Sequence, residues 1–144
     1  MSKIYVVYWS GTGNTREMAE KLGEGITAGG KDAEVKEVDR IKAESLKDEP
    51  VFALGCPSMG AEVLEEDSME PFVADLEQYV QGKKIALFGS YGWGNCEWMR
   101  DWEERLKNCG AEIVGGEGIT CLNEAEEDTL SALYDLGKKL AELA

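Results

Sequence analysis

The chain has 144 residues, 43% hydrophobic and 31% charged, which is enough for one packed domain and too little for two. Fifteen basic residues stand against twenty-nine acidic ones, a net charge of −14, so the chain lacks a positive footprint for nucleic acid or an anionic membrane surface. Histidine is absent, which removes Ser-His-Asp and Cys-His catalysis and most zinc and copper sites.

The first nine residues carry one charge and a short apolar run, without the length or cleavage site of a signal peptide. No apolar run is long enough to span a bilayer, and a cytoplasmic location is expected. Residues 4–9 are β-branched and aromatic with no polar alternation, the pattern of a strand buried on both faces. Met18, Leu22 and Ile26 then fall four apart, which predicts a helix over 14–28 that Gly29 and Gly30 end. Residues 33–38 alternate as an edge strand does, and a short helical turn is expected over 43–46.

A second buried strand covers 51–56. The stripe Met69, Phe72, Val73, Leu76 and Val80 predicts a helix with Pro71 in its first turn and Gly82 as its stop. Residues 85–89 form the next buried strand, and Trp98, Met99, Trp102, Leu106 and Cys109 stripe a third helix that ends at Gly110. A last strand spans 113–114 and 119–122, loosened by Gly115, Gly116 and Gly118. Leu130, Leu133, Tyr134, Gly137, Leu140 and Ala141 mark the closing helix, with Asn123 and Glu126 as its capping box. Strands alternating with helices predict an α/β fold, a doubly wound parallel sheet with helices on both faces and one domain over 1–144. Ligands of such sheets bind at the carboxyl ends of the strands.

The loops at those ends carry the chemistry. Ser10-Gly11-Thr12-Gly13-Asn14-Thr15 joins a strand to a helix, and backbone N–H groups at a helix N-terminus favour an anion. The loop lacks the lysine of a nucleotide-hydrolase P-loop, and Arg16 stands where a dinucleotide fingerprint needs glycine. Its neutral donors Ser10, Thr12, Asn14 and Thr15 suit a terminal phosphomonoester. The second loop is Pro57-Ser58-Met59-Gly60-Ala61-Glu62 and the third Ser90-Tyr91-Gly92-Trp93-Gly94-Asn95. Trp93, between two glycines, is placed to stack on a planar ligand, and Met59 offers a polarisable contact to the opposite face. A phosphate at one end and a clamped flat ring at the other fit flavin mononucleotide. Cys56, Cys96, Cys109 and Cys121 form no C-x-x-C pair and read as reduced thiols.

In these three loops the chain resembles the flavodoxins, specifically the short-chain type of anaerobic bacteria such as clostridia. Tyr8-Trp9-Ser10-Gly11-Thr12-Gly13-Asn14-Thr15 is similar to that family's phosphate loop. Gly55-Cys56-Pro57-Ser58-Met59-Gly60 resembles its second flavin loop, and Leu87-Phe88-Gly89-Ser90-Tyr91-Gly92-Trp93-Gly94 its third. The resemblance covers essentially the whole chain. It implies a five-stranded sheet in the order 2-1-3-4-5 and noncovalent FMN. It further implies a one-electron carrier that cycles mainly between semiquinone and hydroquinone in place of ferredoxin.

By resemblance, Ser10 to Thr15 hold the phosphate with help from Ser90, Trp93 stacks on the outer ring face and Met59 packs the inner one. The Gly60 carbonyl faces flavin N5, Glu62 accepts from N3–H, Gly92 lies against the pyrimidine end and Asn123 lines the ring edge. Relatives often carry Asp or Ser where Ala61 stands. Met59-Gly60-Ala61-Glu62 reads as a four-residue turn whose central peptide joins Gly60 to Ala61. Positive φ at its second position suits Gly60, as a type II′ turn requires.

The acidic run Glu62, Glu65, Glu66, Asp67 and Glu70 is the expected docking rim. The partners implied are redox proteins with basic surfaces, namely ferredoxin-dependent oxidoreductases and flavodoxin reductases. An acidic face can also serve solubility alone. A monomer without substrate turnover is expected. An FMN-dependent reductase of the same fold is the alternative, although the chain has little length for a substrate pocket. A receiver-type signalling domain would need acidic residues after the first strand, where Trp9-Ser10 stands.

Overall fold

In a computed structural model, residues 3–60 and 62–144 are described. Strand β1 (Lys3–Tyr8) leads into helix α1 (Asn14–Ala28) and edge strand β2 (Asp32–Glu37). Short 3-10 turns over Val38–Arg40 and Ala43–Leu46 lead to β3 (Val51–Gly55) and α2 (Met69–Leu76). The chain continues through β4 (Lys84–Tyr91), α3 (Glu97–Asn108), β5 (Glu112–Ile113), β6 (Ile119–Leu122) and α4 (Glu127–Leu143). All pairings in the sheet are parallel and the order is β2-β1-β3-β4-β5, with β6 also on β4.

The fifth position of the sheet is one strand broken in two. β5 pairs with Lys84 and Ile85, and β6 with residues 88–91 of the same strand. Between them Gly115 and Gly116 are left-handed (φ 84° and 87°), which turns the chain out of the ladder. Gly118 brings it back. Its N–H donates to the buried Glu103 carboxylate (2.6 Å), and a Cβ there would lie 2.4 Å from Met99 Sδ.

Two cores cover the two faces. Phe52, Leu54, Leu87, Val73 and Leu76 pack with Trp98, Trp102 and Leu106 of α3 on one side. Ile4, Val6, Ala53 and Phe88 pack with Met18, Leu22 and Ile26 of α1 and Leu133 and Leu140 of α4 on the other. α1 and α4 cross where each has a glycine: a Cβ on Gly25 would meet Tyr134 O at 2.1 Å, and one on Gly137 would meet Leu22 O at 2.3 Å.

Two expected helix ends are corrected. The stripe from Met69 to Val80 is α-helical only to Leu76 and then tightens into a 3-10 turn over Glu77–Tyr79, while Val80 stays buried. Arg105 of α3 donates to both oxygens of Glu70 in the first turn of α2 (2.8 Å each) and to Glu77 just past its last residue, tying both ends of α2 to α3. The capping box of Asn123 and Glu126 does not form. α4 begins at Glu127 with no side-chain cap, and Asn123 is a left-handed residue (φ 59°) at the end of β6. Asparagine tolerates that conformation because its short polar side chain can bond locally. Among the described residues no helix is long and apolar enough to cross a membrane, and no group of His, Cys, Asp and Glu could hold a metal ion.

Candidate functional site

The carboxyl ends of β1, β3, β4 and β6 open onto a cleft of about 250 Å³. One wall is the loop after β1. Ser10 Oγ accepts the N–H groups of Gly13 (3.1 Å) and Arg16 (3.2 Å), and Gly13 takes the left-handed conformation (φ 101°) that starts α1. Ser10 therefore shapes the loop as well as facing the cleft, and its hydroxyl proton stays available to a ligand. Among the described residues the N–H groups of Asn14 and Thr15 have no partner, as the first turn of a helix leaves them, and neither has that of Thr12 in the loop before it. These groups and the Thr12 and Asn14 side chains converge on the cleft with no lysine or arginine in its lining. Such a donor set fits a phosphate monoester held at a helix N-terminus.

The floor is made by Thr15 and Ser90. Both are buried, their hydroxyls lie 3.1 Å apart, and the Ser90 N–H points to Thr15 Oγ1 at 3.4 Å. Pro57, Ser58 and Met59 form the second wall, and Tyr91, Gly92 and Asn123 the third. Ser58 N–H donates to Ser90 O (3.0 Å) and Asn123 N–H to Tyr91 O (2.7 Å), so both walls hang from the end of β4. Gly92 adds no side chain to the third wall, and a Cβ there would meet only Asn123 Oδ1, at 3.6 Å. A narrow slot ending at a phosphate cradle fits FMN.

The cleft thus brings together Ser10, Gly11, Thr12, Asn14, Thr15, Pro57, Ser58, Met59, Ser90, Tyr91, Gly92 and Asn123. It also includes Trp9, which sequence reasoning left in the strand. The signal for Trp9 was its place, a large aromatic on the last residue before the loop. Gly13, Gly60, Glu62, Trp93 and Gly94 flank the cleft without lining it, and Ala61 lies outside the described residues. Trp93 does not fold back into the core. It is 63% exposed, whereas Trp98 and Trp102 are buried.

The turn after Met59 differs from the expected one. Met59 and Val63 exchange both backbone hydrogen bonds (2.9 and 3.0 Å), so the turn closes on Val63 and not on Glu62. Gly60 (φ 49°) and Glu62 (φ 56°) are both left-handed. The positive φ expected at Gly60 is present, and a side chain there would strain the protein whether or not a ligand is bound. Glu62 is held in this conformation by its side chain. Oε1 accepts the Glu97 N–H at the start of α3 (2.9 Å), and the carboxylate fills the space beside Gly94, where a Cβ would come within 2.6 Å.

The docking rim also needs correction. Glu65 is buried, and its carboxylate accepts the N–H groups of Asp67, Ser68 and Met69 (2.8 Å each), which caps α2. Glu70 belongs to Arg105. Glu66 and Asp67 are exposed, as are Glu97 at the start of α3 and Glu124, Glu126, Glu127 and Asp128 between β6 and the first turn of α4. Val63 (42%) and Trp93 on the second and third loops, and Leu122 (56%) at the end of β6, are exposed large apolar side chains. Burial pushes the Cys56 thiol up to about 12 and the Cys121 thiol to about 11, so both stay protonated beside the site at neutral pH. Tyr91 is raised above the usual phenol range, chiefly by the neighbouring Cys96 thiol.

The chain matches the family model described as flavodoxin over residues 6–137. It is 45% identical to a flavodoxin of Clostridium beijerinckii over 140 residues, covering 96% of this chain and 99% of that one. It is 39% identical to a flavodoxin of Megasphaera elsdenii, covering 96% and 98%. The solution structure of two-electron reduced Megasphaera elsdenii flavodoxin superimposes with a TM-score of 0.84 at 38% identity, over 94% of this chain and 98% of that one.

Proposed function

The chain belongs to the flavodoxin family and is an FMN-binding electron carrier without substrate turnover of its own; on that premise we propose that it works as one domain whose cleft holds the flavin and whose acidic border receives redox partners. The observation that carries the reading is the convergence of unpaired N–H and hydroxyl donors of residues 10–15 with a slot between Met59 and Gly92. When bound, FMN supplies two successive one-electron steps on a single ring system.

The protein's residues divide that work. The loop from Ser10 to Thr15 holds the phosphate, with Ser90 and Thr15 bracing its floor. Neutral donors suffice because the helix N-terminus already carries partial positive charge. Met59 covers the inner ring face, and Trp93, which has no packing role to fulfil, stacks on the outer one. Glu62 keeps one oxygen on the Glu97 N–H and offers the other to flavin N3–H. Gly60 supplies a carbonyl to N5 when that atom carries a proton. Gly92 leaves room for the pyrimidine end, Gly13 and Gly94 provide left-handed corners, and Asn123 lines the ring edge. The carboxylates around the cleft disfavour added negative charge, which sets the carrier to low potential.

Trp93→Ala tests the stacking. It is expected to weaken FMN by about 1 kcal/mol, roughly fivefold, and to raise the residual flavin fluorescence. Unchanged affinity with unchanged quenching would contradict the assignment.

The partners proposed are proteins with basic docking faces, such as ferredoxin-dependent oxidoreductases and flavodoxin reductases. The high negative charge also favours a monomer, and the free cysteines suit the reducing cytoplasm. Lysine at Glu66 and Asp67 together should slow electron transfer to such a partner on the order of tenfold at low salt, and added salt should narrow the difference. A transfer rate insensitive both to these charges and to salt would mean that the border serves solubility alone.

A further inference from the structure

Two tryptophans lie one turn apart on α3, Trp98 and Trp102, each 1% exposed. Their indole N–H groups differ. That of Trp102 has no hydrogen-bond partner, whereas that of Trp98 donates to the Cys56 carbonyl at 3.0 Å. A buried indole needs no such bond to pack, as Trp102 demonstrates in the same core. The Trp98 bond is a specific tie into the segment that leads from β3 to the second wall of the cleft.

The tie falls where the sheet lets go of that segment. Cys56 N–H still donates to Phe88 O (3.1 Å) and Ser58 N–H to Ser90 O (3.0 Å), as in a parallel ladder. The Cys56 carbonyl between them is turned to Trp98, while the Ser90 N–H goes to Thr15 Oγ1 on the cleft floor. The far end of the segment is held by the preceding residue of the same helix, through Glu62 Oε1 and the Glu97 N–H (2.9 Å). Consecutive residues of α3 therefore hold both ends of residues 56–62. The Trp98 ring also lies against Tyr91 of the third wall, with centroids 5.7 Å apart and planes tilted by 48°.

We propose that Trp98 is a positioning residue for the flavin: without lining the cleft, it fixes the spacing between the Met59 wall and the Tyr91–Trp93 wall through its bond to Cys56 and its contact with Tyr91. The proposal rests on the reading of the cleft as the FMN site. Its physical basis is preorganisation. A wall held in place before binding loses less freedom on closing around a rigid ring, and its groups meet the ring atoms in a defined register.

The test compares Trp98→Phe with Trp102→Phe, which removes the indole N–H that has no partner. In the apoprotein, amide hydrogen exchange at Ser58, Met59 and Val63 should be about tenfold faster in Trp98→Phe and unchanged in Trp102→Phe. On adding FMN, Trp98→Phe should bind at least fivefold more weakly and shift the potential of the first one-electron step, and Trp102→Phe should do neither. If Trp98→Phe does not fold, 3-benzothienylalanine at this position keeps the outline and removes only the donor. The proposal is overturned by unchanged exchange. It is equally overturned by faster exchange with unchanged affinity and potential, or by identical behaviour of the two variants. A wild-type chain that binds no FMN would refute the reading of the cleft instead, while the exchange measurement still decides whether Trp98 holds the wall.

Discussion

Gly89→Ala is expected to destabilise the folded protein by about 3 kcal/mol, at the upper end of what overpacking costs, and to lower Tm by roughly 6–12 °C. Gly89 sits in β4 beneath the cleft, where the chain passes the Cys56 carbonyl. A Cβ there would lie 2.1 Å from Cys56 O, 3.0 Å from Cys56 C and 3.2 Å from Trp98 Cζ2. The first two are backbone atoms held in the β3–β4 register, so relief requires parting the strands or moving the second wall. Gly92→Ala is the matched control, because its Cβ would meet only Asn123 Oδ1 at 3.6 Å. Its thermal unfolding should stay within about 2 °C of wild type, since a new contact at ordinary distance adds little. A Gly89→Ala protein as stable as the Gly92→Ala one would show that the close passage under the cleft relaxes freely.

The second large effect is on the ligand. Thr12→Ala and Thr15→Ala should each weaken FMN by about 10- to 100-fold, the loss of a hydrogen bond to a charged group, and riboflavin by less than about threefold. The two substitutions act differently. Thr12 is exposed at the tip of the cradle and its loss removes a single donor. Thr15 is buried against Ser90, so its loss also frees the Ser90 hydroxyl and N–H beneath the phosphate. Thr15→Ala should therefore also lower apoprotein stability, while Thr12→Ala should not. Isothermal titration with both ligands measures the difference, and equal losses for FMN and riboflavin would contradict the phosphate assignment.

The alternation of strands and helices and the three loops were legible because each rests on a local signal, whereas the sheet order was implied by the family resemblance alone. Runs such as Val51-Phe52-Ala53-Leu54 admit only a strand buried on both faces, and Gly13 must be glycine at φ 101° for the loop to enter α1. What stayed hidden depended either on partners distant in sequence, as for Glu70, Glu62 and Asn123, or on a local turn that spacing alone does not reveal, as for Glu65 and Met59. Glu65 reads as one carboxylate in an acidic run, and only the return of the chain at Asp67, Ser68 and Met69 makes it a buried cap. Glu70 reads as docking charge until Arg105 arrives from 35 residues away. The turn at Gly60 was expected to close on Glu62, but Val63 satisfies both polar groups of Met59 and Glu62 is drawn to α3. Asn123 followed by Glu126 has the spacing of a capping box, yet the bond from Asn123 N–H to Tyr91 O ties it to the end of β4, one residue past β6, where it lines the cleft.

The most direct test of the central claim is an anaerobic redox titration of the purified chain with FMN, followed by absorbance. The account predicts one FMN bound per chain, two resolved one-electron steps with the second at low potential, and no consumption of NAD(P)H unless a second redox protein is present. A chain that retains no flavin, or one that oxidises NAD(P)H on its own in a single two-electron wave, would contradict it.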